Sequence, residues 1–313
     1  MNQSVRIRRQ SRWIVCGLGG FSLLLWSSLA LCRTLSLTFD DGLNPGTQPN
    51  AEILNAQMLS ALRSAGVISM VFPTLKSAGS ERGLELIKAW SAAGHAVGNH
   101  TATHRSLAAP EVSLADFISD VSAADAVLRQ LPTWVPMLRF PYLKEGDTLE
   151  KRDGMRAWMR SHGYRPACVS IDASDWYYSE VYSAQLKSGS RAKAAAIKRA
   201  YIEHLLDRAE YYDSLARQVL GRSPSHVMLL HTNEINAASL GELVTALRAR
   251  GWTIVPPSAA FDDPLYASAP DILPAGESIV WAMARERGIQ GLRYPAEDSI
   301  YEEPKLRARG LVP

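Results

Sequence analysis

The chain from residue 34 onward alternates short β-like runs with longer helical ones. Residues 34–40 alternate strictly, with Leu35, Leu37 and Phe39 on one face and Thr34, Ser36, Thr38 and Asp40 on the other. A period of two predicts a strand. Helical patterning follows at 51–65, closed by Gly66, then a second strand at 67–72, ended by Pro73. A helix at 81–93 closed by Gly94 leads to a short third strand at 95–98. A helix at 114–131 stops at Pro132, a fourth strand at 137–140 stops at Pro141, and a helix at 147–162 is closed by Gly163. The fifth strand is expected at 167–171, and a continuous apolar strand at 226–231 follows a long helix at 194–220. A helix at 237–250 and a last β-like run at 252–255 complete the series. Strands alternating with helices predict parallel βαβ units, hence an α/β barrel or a doubly wound sheet. Residues 177–222 form a long, Tyr-rich, helix-forming insertion. After about Asp262 the chain turns Pro-rich, offers one helix at 277–287 and ends in a charged stretch, compatible with an ordered wrap or a solvated tail.

Composition adds little to this picture until charge is located. With 313 residues, 47% hydrophobic and 21% charged, the chain is neither a disordered tail, a collagen-like rod nor a multi-span membrane protein. The formal charge is +3, but residues 1–32 hold Arg6, Arg8, Arg9 and Arg12 with no Asp, Glu or Lys; taking 4 from +3 leaves −1. A near-neutral body gives no case for nucleic-acid binding. The arginines precede nineteen uncharged residues, 13–31. A basic segment followed by an apolar one reads as a secretory signal, and the stretch is also long enough for an uncleaved N-terminal membrane anchor. Export to the periplasm or beyond is therefore expected, with 1–32 removed or retained as the anchor. Of the three cysteines, Cys16 and Cys32 fall in that segment, and Cys168 is expected to be buried on a strand.

The candidate chemistry lies where the strands end, as expected for parallel α/β folds. Strand one ends in Asp40-Asp41-Gly42, and strand three runs into Asn99-His100-Thr101-Ala102-Thr103-His104. Strand four carries Arg139 and runs into Pro141-Tyr142, Asp175-Trp176 follows strand five, and the late apolar strand ends in His231. Each has a bland alternative: a turn for Asp-Asp-Gly, an ion pair for Arg139, a hydrogen-bonded core histidine for His231. Adjacent aspartates share a site only if the chain turns at Asp41-Gly42. Histidines at i, i+4 can present two imidazoles on one helix face, and two histidines with a carboxylate suit Zn²⁺ with open positions. His95, His162, His204 and His226 are expected to be structural or solvent-exposed.

Taken in order, Thr38-Phe39-Asp40-Asp41-Gly42, His100-Thr101-Ala102-Thr103-His104, Arg139-Phe140-Pro141-Tyr142, Asp175-Trp176 and Leu229-Leu230-His231 resemble the five motifs of the polysaccharide deacetylases, the NodB-homology domain of carbohydrate esterase family four. The resemblance implies a distorted (β/α) barrel over about 33–260, with the helical insertion 177–222 and a C-terminal extension at 261–313. It implies metal-dependent hydrolysis of N-acetyl or O-acetyl groups on a glycan. Asp41, His100 and His104 would hold the divalent metal, Zn²⁺. Asp40 would be the general base, held ionised by Arg139. His231 would be the general acid, its pKa raised by Asp175. The Tyr142 backbone N–H would help hold the oxyanion, and Trp176 and Leu229 would take the acetyl methyl. Leu43, Leu143 and Thr232-Asn233-Glu234 depart from the family pattern without removing a ligand or an acid–base group. Other readings keep the site but aim it at a non-glycan amide, or make the chain a non-catalytic glycan-binding relative.

Overall fold

The computed structural model of the chain describes Met1, residues 33–293 and residues 299–313. The basic and apolar N-terminal segment, with Cys16 and Cys32, lies outside the described residues. No helix among the described residues is long and apolar enough to cross a membrane.

The alternating run becomes β1 (Arg33–Asp41), and both of its faces are buried. Leu35, Leu37 and Phe39 are fully enclosed, each worth roughly 2 kcal/mol of apolar burial. The polar face is enclosed too, as happens when a parallel sheet is covered on both sides. Its hydroxyls are used locally: Thr38 Oγ1 donates to Met228 O at 3.0 Å, and Thr34 Oγ1 lies 2.8 Å from Ser225 Oγ.

The other strands are β2 (Met70–Pro73), β3 (Ala96–Asn99), β4 (Trp134–Leu138), β5 (Lys144–Gly146), β6 (Arg165–Pro166), β7 (Ser225–His231), β8 (Trp252–Ile254) and β9 (Ala275–Gly276). The helices are α1 (Ala51–Ala65), α2 (Leu75–Ala78), α3 (Glu81–Ala92), α4 (Leu114–Leu128), α5 (Leu149–Ser161), α6 (Asp175–Lys187), α7 (Arg191–Leu220), α8 (Glu234–Ala249), α9 (Pro257–Phe261), α10 (Ile279–Glu286) and α11 (Glu303–Ala308). The main sheet has the order β6-β4-β3-β2-β1-β7, with β8 also on β1, and all its pairings are parallel. β7 pairs with β1 from Thr34↔Ser225 to Asp40↔His231. β8 meets β1 at Arg33–Leu35, and β2 meets it at Thr38–Asp41. The order and the flanking helices make a curled, distorted (β/α) barrel, as the motif resemblance implies.

Several expected elements shift for identifiable reasons. The second strand begins at Met70 because the Val67 N–H is already spent on Leu62 O, closing the end of α1. Residues 167–171 are not a regular strand. They bridge the gap between β6 and β7: Ala167 N–H bonds Leu138 O at 2.7 Å, and Ser170 and Ile171 N–H both reach Val227 O at 3.0 Å. Cys168 therefore sits half-buried outside any strand, its Sγ 3.9 Å from Glu145 Oε1. The insertion is two helices, α6 and the thirty-residue α7, joined at Gly189 with φ 76°. The C-terminal stretch packs against the body: Val280, Ala284, Glu302 and Leu306 are buried, and β9 pairs antiparallel with β5.

Candidate functional site

The carboxyl ends of β1, β3, β4 and β7 open into one cleft of about 850 Å³, lined by Asp40, Asp41, His100, His104, Tyr142, Trp176, Leu229 and His231 among others. Two further residues expected from the sequence stand directly behind that lining, Arg139 against Asp40 and Asp175 against His231.

Backbone geometry explains how neighbours in sequence come to share the cleft. Asp41 has φ 80° and Gly42 φ 131°, so the chain leaves the strand at Asp41 and both carboxylates turn to the same side. Left-handed geometry at a non-glycine residue costs on the order of 1 kcal/mol or more and is typical of functional sites. The His-x3-His pair converges by a different route from the helical one expected. Residues 100–104 form a loop with Thr101 at φ 69° and His104 at φ 59°, and the two rings meet edge to face at 4.9 Å. Asn99 Oδ1 accepts from Thr101 N–H at 2.8 Å, and the Asp120 carboxylate accepts from Thr103 N–H and its hydroxyl, so side chains fix this loop. Tyr142 is also left-handed, φ 56°, and its ring packs 4.7 Å from His104.

Asp41, His100 and His104 present ligand atoms within 4.8 Å of one another, the only such cluster among the described residues. Their chemistry fits a divalent ion. His100 donates Nδ1–H to Arg139 O at 2.7 Å, which leaves Nε2 as a lone-pair donor toward the cleft. His104 Nε2 lies 3.6 Å from Asp41 Oδ1, a buried oxygen with no hydrogen-bond partner. Burial pushes His100 down to about 3 and lowers His104, so both rings are neutral, as ligation requires.

Asp40 belongs to a second unit. Burial pushes its carboxyl up to about 6, against the pull of Arg139, whose Nη1 donates to Oδ1 at 3.0 Å and Oδ2 at 3.1 Å. Arg139 is itself fully enclosed. Its Nε donates to Ala167 O at 2.6 Å and Nη2 to Thr38 Oγ1 at 3.1 Å, and its guanidinium lies 4.5 Å over the Phe72 ring.

His231 and Asp175 form the third. His231 donates Nδ1–H to Asp175 Oδ1 at 2.7 Å, and its backbone N–H donates to Oδ2 at 2.7 Å. Burial opposes a charge on the ring, yet the Asp175 carboxylate overrides it and holds His231 up to about 10. Asn233 and Asn236 also donate to Asp175 Oδ2, at 3.0 and 2.8 Å. Motif reading gave no role to Asn233 or to Thr38, although both stand in or beside the motifs, and it passed over Asn236 and Asp120. The only sequence signal was their closeness to motif residues.

The structure also contains a serine–histidine–aspartate chain outside the cleft. Ser170 Oγ lies 3.0 Å from His226 Nδ1, and His226 Nε2 lies 3.3 Å from Asp213 Oδ1. Ser170 and His226 are wholly enclosed, so no substrate can reach them. The group ties β7 to α7 from inside. His226 is thus structural.

Comparison with known proteins bears on the first part of this site. Residues 30–167 match the sequence model of the family described as polysaccharide deacetylase. A curated relative, a peptidoglycan-N-acetylglucosamine deacetylase of Bacillus cereus, is 27% identical over 143 residues, 45% of this chain and 46% of that protein. The match thus spans about half the length of that relative. Among solved structures, a polysaccharide deacetylase from Bacillus cereus superposes with a TM-score of 0.50 at 19% identity, over 70% of this chain and 89% of that one. A CE4 family pseudoenzyme from Bacillus anthracis does so with a TM-score of 0.51 at 16% identity, over 74% and 66%. These similarities show a shared fold. The span matched by the family model carries Asp40, Asp41, His100, His104, Arg139 and Tyr142; Asp175, Trp176, Leu229 and His231 lie beyond it.

Proposed function

We propose that the chain, whose residues 30–167 match the polysaccharide deacetylase family, is an exported, metal-dependent enzyme that hydrolyses N-acetyl or O-acetyl groups of a glycan in the bacterial envelope. One observation carries the reading. The ligand triad Asp41, His100 and His104, the Asp40–Arg139 pair and the His231–Asp175 pair meet across a single cleft, although the last pair lies outside the family match. The relative's name, a peptidoglycan-N-acetylglucosamine deacetylase, supports a bacterial glycan. So does the near-neutral charge of the body. The N-terminal segment supports export.

Asp41, His100 and His104 would hold the ion, most simply Zn²⁺ given two imidazoles and a carboxylate. When bound, such an ion supplies Lewis acidity at the acetyl carbonyl and acidifies water beside it. Asp40 takes the proton from the attacking water. Burial brings its pKa near working pH while Arg139 keeps the carboxylate available. The Tyr142 backbone N–H faces the developing oxyanion. His231, kept protonated by Asp175, delivers the proton to the departing amine or alcohol. Trp176 and Leu229 wall the acetyl methyl in. Residues 33–260 supply all these groups, with 177–222 inserted, while Ile279, Val280, Ala284 and Leu306 of the C-terminal extension join the buried core.

The test is a screen for acetate release from chitooligosaccharides, peptidoglycan, acetylated xylan and simple N-acetyl amines, with and without chelator. Chelator-sensitive release from at least one glycan is expected. Release confined to simple amines would move the site to non-glycan amides. No release from any, with no metal in the purified protein, would make the chain a non-catalytic relative like the Bacillus anthracis pseudoenzyme.

A further inference from the structure

Asp175 orients the proposed proton donor, yet part of what holds it lies outside the cleft. Its carboxylate takes four hydrogen bonds from the end of β7 and the start of α8: two from His231 and one each from Asn233 and Asn236. Those donors fix the oxygens. The Asp175 backbone is set by α6, of which it is the first residue. Ser174, just before it, gives that helix no side-chain cap. A helix start secured in no other way is free to fray.

The anchor comes from α7. His204 is buried there, and its Nε2 accepts from the Ser174 backbone N–H at 3.1 Å. Tyr178, one turn into α6, stacks on the same ring with centroids 4.9 Å apart. Tyr201 stands three residues before His204, on the same face of α7, and donates to Asn236 Oδ1 at 2.5 Å. One helix face thus braces Asp175 twice, through Ser174 and through Asn236.

An imidazole accepts at Nε2 only while that nitrogen carries no proton. His204 must be neutral, with its proton on Nδ1. Burial favours the neutral ring, as do the cations Arg208 and Lys305, against the pull of Glu302. The choice of nitrogen comes from the far end of the chain, where Glu302 Oε2 lies 3.3 Å from Nδ1. Glu302 stands directly before α11 and is wholly enclosed, with Lys305 at 3.1 Å and Arg208 at 3.7 Å. A carboxylate held ionised only accepts, so Nδ1 is the nitrogen that keeps the proton.

We propose that Glu302 of the C-terminal extension, acting through His204, is a positioning residue for Asp175 and hence for His231. The inference rests on the acid role given to His231 above and extends the working unit from the cleft to the C-terminal extension. Neither Glu302 nor His204 meets substrate; the effect is placement. With the Ser174 N–H released, the start of α6 shifts against β7 and the Asp175–His231 bond stretches. A misplacement of ~1 Å can cost ~10²-fold in rate.

Two substitutions break this chain of contacts and two conserve it. His204→Phe keeps a ring against Tyr178 but offers Ser174 no acceptor, whereas His204→Gln brings an amide oxygen near the place of Nε2. Glu302→Leu removes the acceptor for Nδ1–H, and Glu302→Gln retains one. The full chain and the four variants are assayed with Zn²⁺ on N-acetylated chitopentaose, an amide whose amine must be protonated to leave, and on 4-nitrophenyl acetate, whose leaving group needs no acid. Proteins carrying ¹⁵N-labelled histidine report the His204 tautomer and the His231 Nδ1–H resonance by NMR.

The breaking variants should lose at least tenfold in kcat on the amide, with KM and ester hydrolysis within twofold of the parent. The conserving variants should stay within threefold on both. Parent His204 should be neutral with its proton on Nδ1, and the His231 Nδ1–H resonance should move only in the breaking variants. A parent His204 protonated on Nε2 at neutral pH overturns the proposal whether or not any variant folds. Equal losses in breaking and conserving variants, or on amide and ester, also overturn it. If the resonances behave as stated and no form of the protein cleaves the amide, the positioning stands and the hydrolytic reading falls.

Discussion

Arg139 is the residue whose loss separates this account most sharply from a merely packed core. Its guanidinium and the Asp40 carboxylate are both fully enclosed, 3.0 and 3.1 Å apart at the two contacts. Replacing Arg139 by Met keeps most of the volume but leaves the carboxylate in low dielectric without its cation. Removing one partner of a buried pair costs roughly 3–5 kcal/mol. Two further hydrogen bonds go with it, to Ala167 O and Thr38 Oγ1. The carboxylate can escape by taking a proton. Its pKa stands at about 6 with the arginine present, because burial raises it, and rises further without it. The Met variant should therefore lose about 3 kcal/mol or more at pH 8 and less at pH 5, where Asp40 is neutral in both states of the comparison. Urea denaturation at the two pH values measures this. The Asp40→Asn, Arg139→Met double variant should recover most of the loss at pH 8, since no lone charge remains. Additive losses, with no coupling between the two substitutions, would refute the reasoning.

Other outcomes follow from the same geometry. Asp175→Asn removes the group that holds His231 up to about 10, leaving burial to lower it. Acetate release should then fall by roughly 10²–10⁴-fold in kcat, more at pH 8 than at pH 6 because the acid form is lost as pH rises, with KM little changed. His104→Ala should lower bound divalent metal, measured by elemental analysis, with folding intact by circular dichroism. At the C-terminus, the His204 hydrogen bond and Lys305 hold Glu302 down to about 2 although burial opposes this. Its folded value is below the unfolded 4.5, so its stabilisation is complete above pH 4.5 and lost as pH falls toward 2. The stability difference between the wild type and Glu302→Gln should be on the order of 2–3 kcal/mol near neutrality and vanish across that window in denaturation curves.

The strand ends were legible because strict alternation at 34–40 and the apolar run at 226–231 have no other reading, and because polar residues at the ends of buried strands are conspicuous. Parallel order then brings those ends together with no further information. The loops were less legible. The His100–His104 spacing suggests a helix, but Asn99 and Asp120 impose a left-handed loop through hydrogen bonds that no local pattern encodes. Residues 167–171 are apolar enough for a strand, yet they bridge two strand edges that do not meet, a constraint set by barrel closure. Local sequence offered equally poor guidance for the tail, because the groups that capture Glu302, His204 and Arg208, lie on α7 far away in sequence. The N-terminal segment, read from composition as an export signal or anchor, lies outside the described residues.

The central claim is that one cleft joins a metal-holding triad to a separate acid–base pair. Asp40→Asn tests it most directly, with metal content and acetate release measured on the same preparation. The account predicts a protein that keeps its divalent metal through Asp41, His100 and His104 and releases no acetate. A variant that still releases acetate at the parent rate, with metal bound, would contradict it.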